Sequence, residues 1–96
     1  MNGGAVRRVT VVFEGHVQGI GFRYTVRELA SGRPVCGFVR NERDGGVCVV
    51  AEGPEPELQL FLEEIRQSPV GRYILREREN WSRASGEFAG FEVAYA

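Results

Sequence analysis

The dipeptide Asp44-Gly45 does more than any other pair to restrict how this chain folds. It closes the connector Glu42-Arg43-Asp44-Gly45, between the apolar runs VCGFVRN (residues 35–41) and GVCVVAE (residues 46–52). Asp-Gly readily adopts the positive φ angles of a tight hairpin turn, so the two runs read as adjacent antiparallel strands. A helical stripe lies on each side of this hairpin. Phe22, Val26, Leu29 and Ala30 recur at helical spacing and stop at Gly32 and Pro34. Leu58, Phe61, Leu62 and Ile65 repeat as i, i+3, i+4, i+7, and Pro54, Glu55, Pro56 and Glu57 precede them with the prolines and acids of a first helical turn.

The remaining segments complete the order. Residues 8–14 (RVTVVFE) are β-branched or aromatic on both faces, which suits a central strand. Residues 72–79 read as an amphipathic edge strand with Tyr73 and Leu75 on one face, residues 80–86 as a polar loop, and Phe91, Val93 and Tyr95 alternate in a last strand. The order is β-α-β-β-α-β with one strand added. Two interleaved right-handed crossovers then predict an α+β, ferredoxin-like sandwich: an antiparallel sheet of four to five strands with two helices on one face. Residues 1–7 are expected to be a mobile N-terminal arm and residues 8–96 a single domain. In this topology the third strand lies between the first and second and antiparallel to both. The ends of those two strands, Gly15 and Asn41, therefore emerge at the same edge of the sheet.

Composition removes several classes of chemistry. All 12 basic residues are arginine, so Schiff-base chemistry and a P-loop lysine are excluded, and any anion site must use the planar guanidinium. The single His16 and the two cysteines, Cys36 and Cys48, do not supply the four ligands of a structural zinc site. Both cysteines fall in apolar strand patterns and are expected to be buried free thiols. The net charge of −1 offers no field to recruit nucleic acid or an anionic membrane. No apolar run approaches the roughly 20 residues of a membrane helix, and the N-terminus lacks a signal-peptide core, so the expected location is cytoplasmic.

Between the first strand and the first helix stands G-H-V-Q-G-I-G-F-R, Gly15 to Arg23, with three glycines in seven residues. Glycines let the backbone visit positive φ and approach a ligand closely. Successive amides in such a turn converge on one anion, and the following helix adds unpaired N–H groups and the positive end of its dipole. Arg23, in the first helical turn, adds a charged fork to the same concavity. These are the parts of a phosphate-sized anion site. The loop is neither a Walker loop, lacking the Gly-Lys-Ser/Thr ending, nor a Rossmann fingerprint, whose glycine spacing differs.

The same nine residues closely resemble the first signature of the acylphosphatases. G-F-V-R-N-E-R-D-G-G-V, Gly37 to Val47, followed by Gly53, resembles their second. The resemblance covers nearly the whole chain, and its departures (Phe13, Ile20, Phe38 and the Gly32-Arg33-Pro34 connection) touch none of the candidate chemical groups. It implies hydrolysis of an acyl phosphate to a carboxylate and inorganic phosphate, with no metal and no cofactor. Arg23 matches the family's phosphate-binding arginine and Asn41 its water-orienting asparagine. Gly15, His16, Val17, Gln18, Gly19, Ile20, Gly21 and Phe22 correspond to the phosphate-binding loop. The implied partners are a small-molecule acyl phosphate and inorganic phosphate or sulfate as site ligand, with no nucleic acid and no membrane; the expected state is a monomer.

Other readings of the same residues stay open at this stage. Taken singly, Arg23 also reads as a solvated first-turn residue or a partner for Glu14, and Asn41 as a turn residue that tolerates left-handed backbone. His16 reads as a loop residue tuning anion affinity rather than as a base, and Gln18 as a side chain that pins the loop. Arg40 and Arg43 read as solvated hairpin charges. For the whole chain, an RNA- or anion-binding module of the same topology is the alternative to an enzyme; such RNA readers display aromatics on their two central strands. A module like the one in hydrogenase-maturation carbamoyl transferases is a third reading.

Overall fold

A computed structural model describes residues 5–95 of the chain. It contains strands β1 (Val6–Gly15), β2 (Cys36–Asn41), β3 (Val47–Pro54), β4 (Ile74–Arg83) and β5 (Phe91–Ala94), with helices α1 (Phe22–Ser31) and α2 (Glu55–Gln67). The strands form one sheet in the order β4-β1-β3-β2-β5. β3 lies between β1 and β2 and is antiparallel to both, so two interleaved crossovers carry the two helices, as expected for the ferredoxin-like arrangement. β5 joins β2 in parallel, which makes the five-stranded sheet mixed at that edge.

Burial follows the strand period. Val9, Val11 and Phe13 of β1 and Val47, Val49 and Ala51 of β3 are fully buried, and meet Phe22, Val26, Leu58, Phe61, Leu62 and Ile65 from the helices. α2 carries Glu55 and Glu57 in its first turn and Arg66 in its last, matching the helix dipole at both ends. β3 is buried at every residue from Val47 to Gly53, so both of its faces are covered. The helices cover one. Over the other runs the connection from β4 to β5, which must pass from one edge of the sheet to the opposite edge. Phe88 of that connection packs edge-on against Phe38 at 5.9 Å, and the Gly90 carbonyl accepts from the Gly37 amide at 2.9 Å.

Glu52 of β3 anchors this crossing. Its carboxylate is 2% exposed and accepts from the Ser85 amide (2.8 Å), the Gly86 amide (2.9 Å), the Ser85 hydroxyl (3.0 Å) and Arg8 Nε (2.7 Å). A buried charge is tolerable when it is well supplied with donors, and here Oε2 accepts three hydrogen bonds and Oε1 one.

Four details differ from the sequence reading. β4 spans residues 74–83, so residues 80–83 of the expected polar loop are strand; they pair with Thr10, Val9, Arg8 and Arg7. An edge strand needs an apolar side chain only where it meets the core, and Trp81 supplies one. Tyr73 closes a 3₁₀ turn, Pro69–Tyr73, instead of opening the strand. β1 starts at Val6, where Val6 and Arg7 pair with Pro54 and Gly53, two residues inside the expected arm; residues 1–4 of that arm lie outside the described residues. Both cysteines are free thiols, as expected, but Cys48 is buried while Cys36 is half-buried. Burial pushes both thiols above their ordinary range, which disfavours the reactive thiolate.

Candidate active site

The loop between β1 and α1 is held down by its apolar residues, which leaves its backbone for other work. Val17 and Phe22 are buried, and the Phe22 ring packs on Phe13 of β1 at 5.4 Å. Gly19 and Gly21 stand at φ +80° and +83°, left-handed backbone that costs a side-chain-bearing residue roughly 1–2 kcal/mol. No neighbouring atom lies within 4 Å of where a Cβ would stand at either position, so conformation and not space demands glycine there.

Gly21 is the N-cap of α1. It has no side chain to cap the first turn, and that turn contains no acidic residue. The first amides of α1 therefore keep free N–H groups and a positive dipole end. Arg23 stands in that turn, half-buried, with its guanidinium 5.1 Å from the centre of the Tyr95 ring. Glu14, the alternative partner read from sequence, is paired with Arg76 (2.8 Å) and Arg78 (3.3 Å) instead. Among the described residues Arg23 makes no ion pair.

Asn41 ends β2 opposite Val47, in ordinary strand geometry, because positive φ is confined to glycines among the described residues. Its carboxamide takes part in no hydrogen bond among the described residues. Gln18 ties the glycine loop to the turn that follows Asn41: its Nε2 donates to the Glu42 carbonyl and the Gly46 carbonyl, both at 2.8 Å. One side chain thus ties the two signature segments together.

Together these residues surround a recess of about 80 Å³, lined by Val17, Gly19, Gly21, Phe22, Arg23, Tyr24 and Asn41. That is the room of roughly three water molecules, enough for a phosphoryl-sized group and too small for a whole drug-sized ligand. The topology explains the gathering: β1 and β2 run in the same direction on either side of β3, so their ends emerge at the same end of the sheet. Of the loop residues read from sequence, Val17, Gly19, Gly21 and Phe22 line the recess. Gly15, His16, Gln18 and Ile20 do not. His16 is exposed, and its amide donates to the Tyr73 carbonyl at 3.1 Å. Arg40 is paired with Glu42 at 2.8 Å, while Arg43 is exposed.

Two residues at this site escaped the sequence reading. Tyr24 lines the recess directly after Arg23, and Tyr95 stacks on Arg23, with the two phenol oxygens 3.3 Å apart. The hydrogen bond with Tyr24 raises the Tyr95 phenol above its usual range. Tyr24 could have been suspected from its place in the first helical turn. Tyr95 could not, since only the parallel placement of β5 beside β2 carries it to this end of the sheet.

Fold and site together define a small α+β domain with a phosphoryl-sized recess lined by the glycine loop, one arginine, one tyrosine and one asparagine. A family model described as Acylphosphatase matches residues 9–93. The chain is 39% identical over 93 residues to an acylphosphatase of Salinibacter ruber, covering 97% of this chain and 98% of that one. It is 48% identical over 78 residues to one of Geobacillus thermodenitrificans, covering 77% and 83%. The crystal structure of acylphosphatase from Bacillus subtilis superposes with a TM-score of 0.84 at 35% identity, over 93% of this chain and 99% of that one. The chain belongs to the acylphosphatase family.

Proposed function

We propose that this acylphosphatase-family enzyme hydrolyses acyl phosphates by clamping the phosphoryl group between Arg23 and the amides of the glycine loop while Asn41 orients the water. The observation that carries this assignment of roles is the recess itself, whose lining unites Gly19, Gly21, Arg23 and Asn41.

Phosphoryl transfer asks a protein for positioning and charge stabilisation above all. The loop amides and the guanidinium are donors held in place before the substrate arrives, so they meet charge on the equatorial phosphoryl oxygens without reorganising. The water oxygen attacks phosphorus, the bond from phosphorus to the acyl oxygen breaks, and its electron pair leaves on the carboxylate. A carboxylate has a pKa of about 4.3, so it departs as an anion and needs no acid to protonate it. That is why a site without a catalytic carboxylate or histidine can serve. Asn41 is a neutral amide and cannot take the water's proton, which passes to an oxygen of the substrate's own phosphate.

An RNA-binding role has less support. The central strands β1 and β3 turn Thr10, Val12, Cys48, Val50 and Glu52 toward the face away from the helices, with no aromatic among them, and the β4–β5 connection crosses that face. The functional reading is tested by phosphate release from benzoyl phosphate in the presence of a chelator. Release is expected at an undiminished rate, and its absence would overturn the proposal.

A further inference from the structure

The recess has room for a phosphoryl-sized group and little else, so the acyl part of a substrate bound there must lie outside it, against the rim. The rim is not uniform. On the side where α1 meets the end of β5, it carries two phenol rings. Tyr24 lines the recess and is 55% exposed; Tyr95 is 70% exposed; their hydroxyls lie 3.3 Å apart, so the two phenols meet at the rim. Ile20, 36% exposed, stands in sequence between the two glycines of the lining. Exposed rings are costly to leave in water and gain by covering a flat apolar group. Two arginines border this lip. The guanidinium of Arg23 lies over the Tyr95 ring at 5.1 Å, and that of Arg27 lies 5.9 Å from the centre of the Tyr24 ring.

Resting on the acyl phosphate reading above, we propose that Tyr24 and Tyr95 form an acyl-side subsite that selects substrates with a flat, aromatic acyl group over those with a small aliphatic one. Tyr24 is the principal contact, because it alone of the pair also lines the recess. Phosphate is held inside by the loop and Arg23, and the acyl ring leans on the lip as the bond to phosphorus breaks.

The test compares kcat/KM for benzoyl phosphate and acetyl phosphate in the wild-type chain, Tyr24→Ser, Tyr24→Phe and a remote control, Leu60→Ser, on the exposed side of α2. One lost aromatic contact should lower the benzoyl-to-acetyl ratio between about twofold and tenfold in Tyr24→Ser. Tyr24→Phe, which keeps the ring, should retain the wild-type ratio, and so should Leu60→Ser. Hydrolysis of both substrates with a ratio unmoved by Tyr24→Ser would overturn the subsite and leave the acyl phosphate reading standing. No hydrolysis of either substrate by the wild-type chain would overturn both.

Discussion

Arg8 Nε donates to the Glu52 carboxylate at 2.7 Å across the β1–β3 ladder, beneath the connection that carries the chain to β5. Burial by itself would push Glu52 up. The amides of Ser85 and Gly86, the Arg8 guanidinium and the Ser85 hydroxyl together overcome it and bring the carboxyl from 4.5 down to about 2. A carboxylate whose pKa is depressed in the fold stabilises it above the unfolded pKa and loses that contribution as pH falls through the folded one. Stability is therefore expected to hold down to about pH 4.5 and then to decline steadily toward pH 2. Urea unfolding midpoints across that range measure it; a midpoint flat from pH 5 to pH 2 would remove Glu52 from this role.

Glu52→Gln should flatten that acid decline and lower the unfolding free energy at neutral pH by about 2 kcal/mol, the scale of hydrogen bonds to a charged group. The connection it anchors leads to β5, so the effect should reach the far end of the molecule. Amide exchange at residues 91–94 is expected to speed up in this variant while exchange in the middle of β1 keeps its wild-type order.

Arg23 and Asn41 are separable by ligand. Arg23→Ala should abolish turnover and inhibition by inorganic phosphate together, and Arg23→Lys should recover little, because an ammonium lacks the planar fork. Asn41→Ala should lose turnover and keep phosphate inhibition. An Asn41→Ala chain that folds and turns over at near wild-type rate would refute the water-orienting role.

Gln18 couples the glycine loop to the hairpin through the Glu42 and Gly46 carbonyls. Gln18→Ala should cost about 1 kcal/mol of stability for two lost hydrogen bonds, partly replaced by water. Its larger effect should fall on catalysis, about tenfold or more in kcat/KM, since small displacements of positioned groups are expensive in rate. Equal kcat/KM in the two chains would show that the loop holds its shape without this tie.

Gly21→Ala places a Cβ in open space, so any loss comes from left-handed backbone alone. About 1 kcal/mol of stability should disappear, and Gly21→Asn should recover part of it because asparagine tolerates this conformation. Thermal melts of the three chains rank them.

Local chemistry was enough for most of the fold and for picking out the residues gathered at the recess. The helical stripes of α1 and α2, the Asp44-Gly45 turn and the β-branched runs each depend on near neighbours, and their order leaves few topologies. Arg23, Asn41 and the glycine loop lie in contiguous stretches whose residue types suggest the anion-binding chemistry proposed for them. The extension of β4 through Arg83 was invisible because residues 80–83 are polar and became strand only by pairing with β1. Glu52 reads as an ordinary strand-end carboxylate until the β4–β5 connection closes over it with its amides. Tyr95 reaches Arg23 only because β5 adds to the sheet parallel to β2. A short-range pattern sets which groups are present and which segments are helix or strand; long-range strand pairing sets which of those groups meet, and no local signal encodes it.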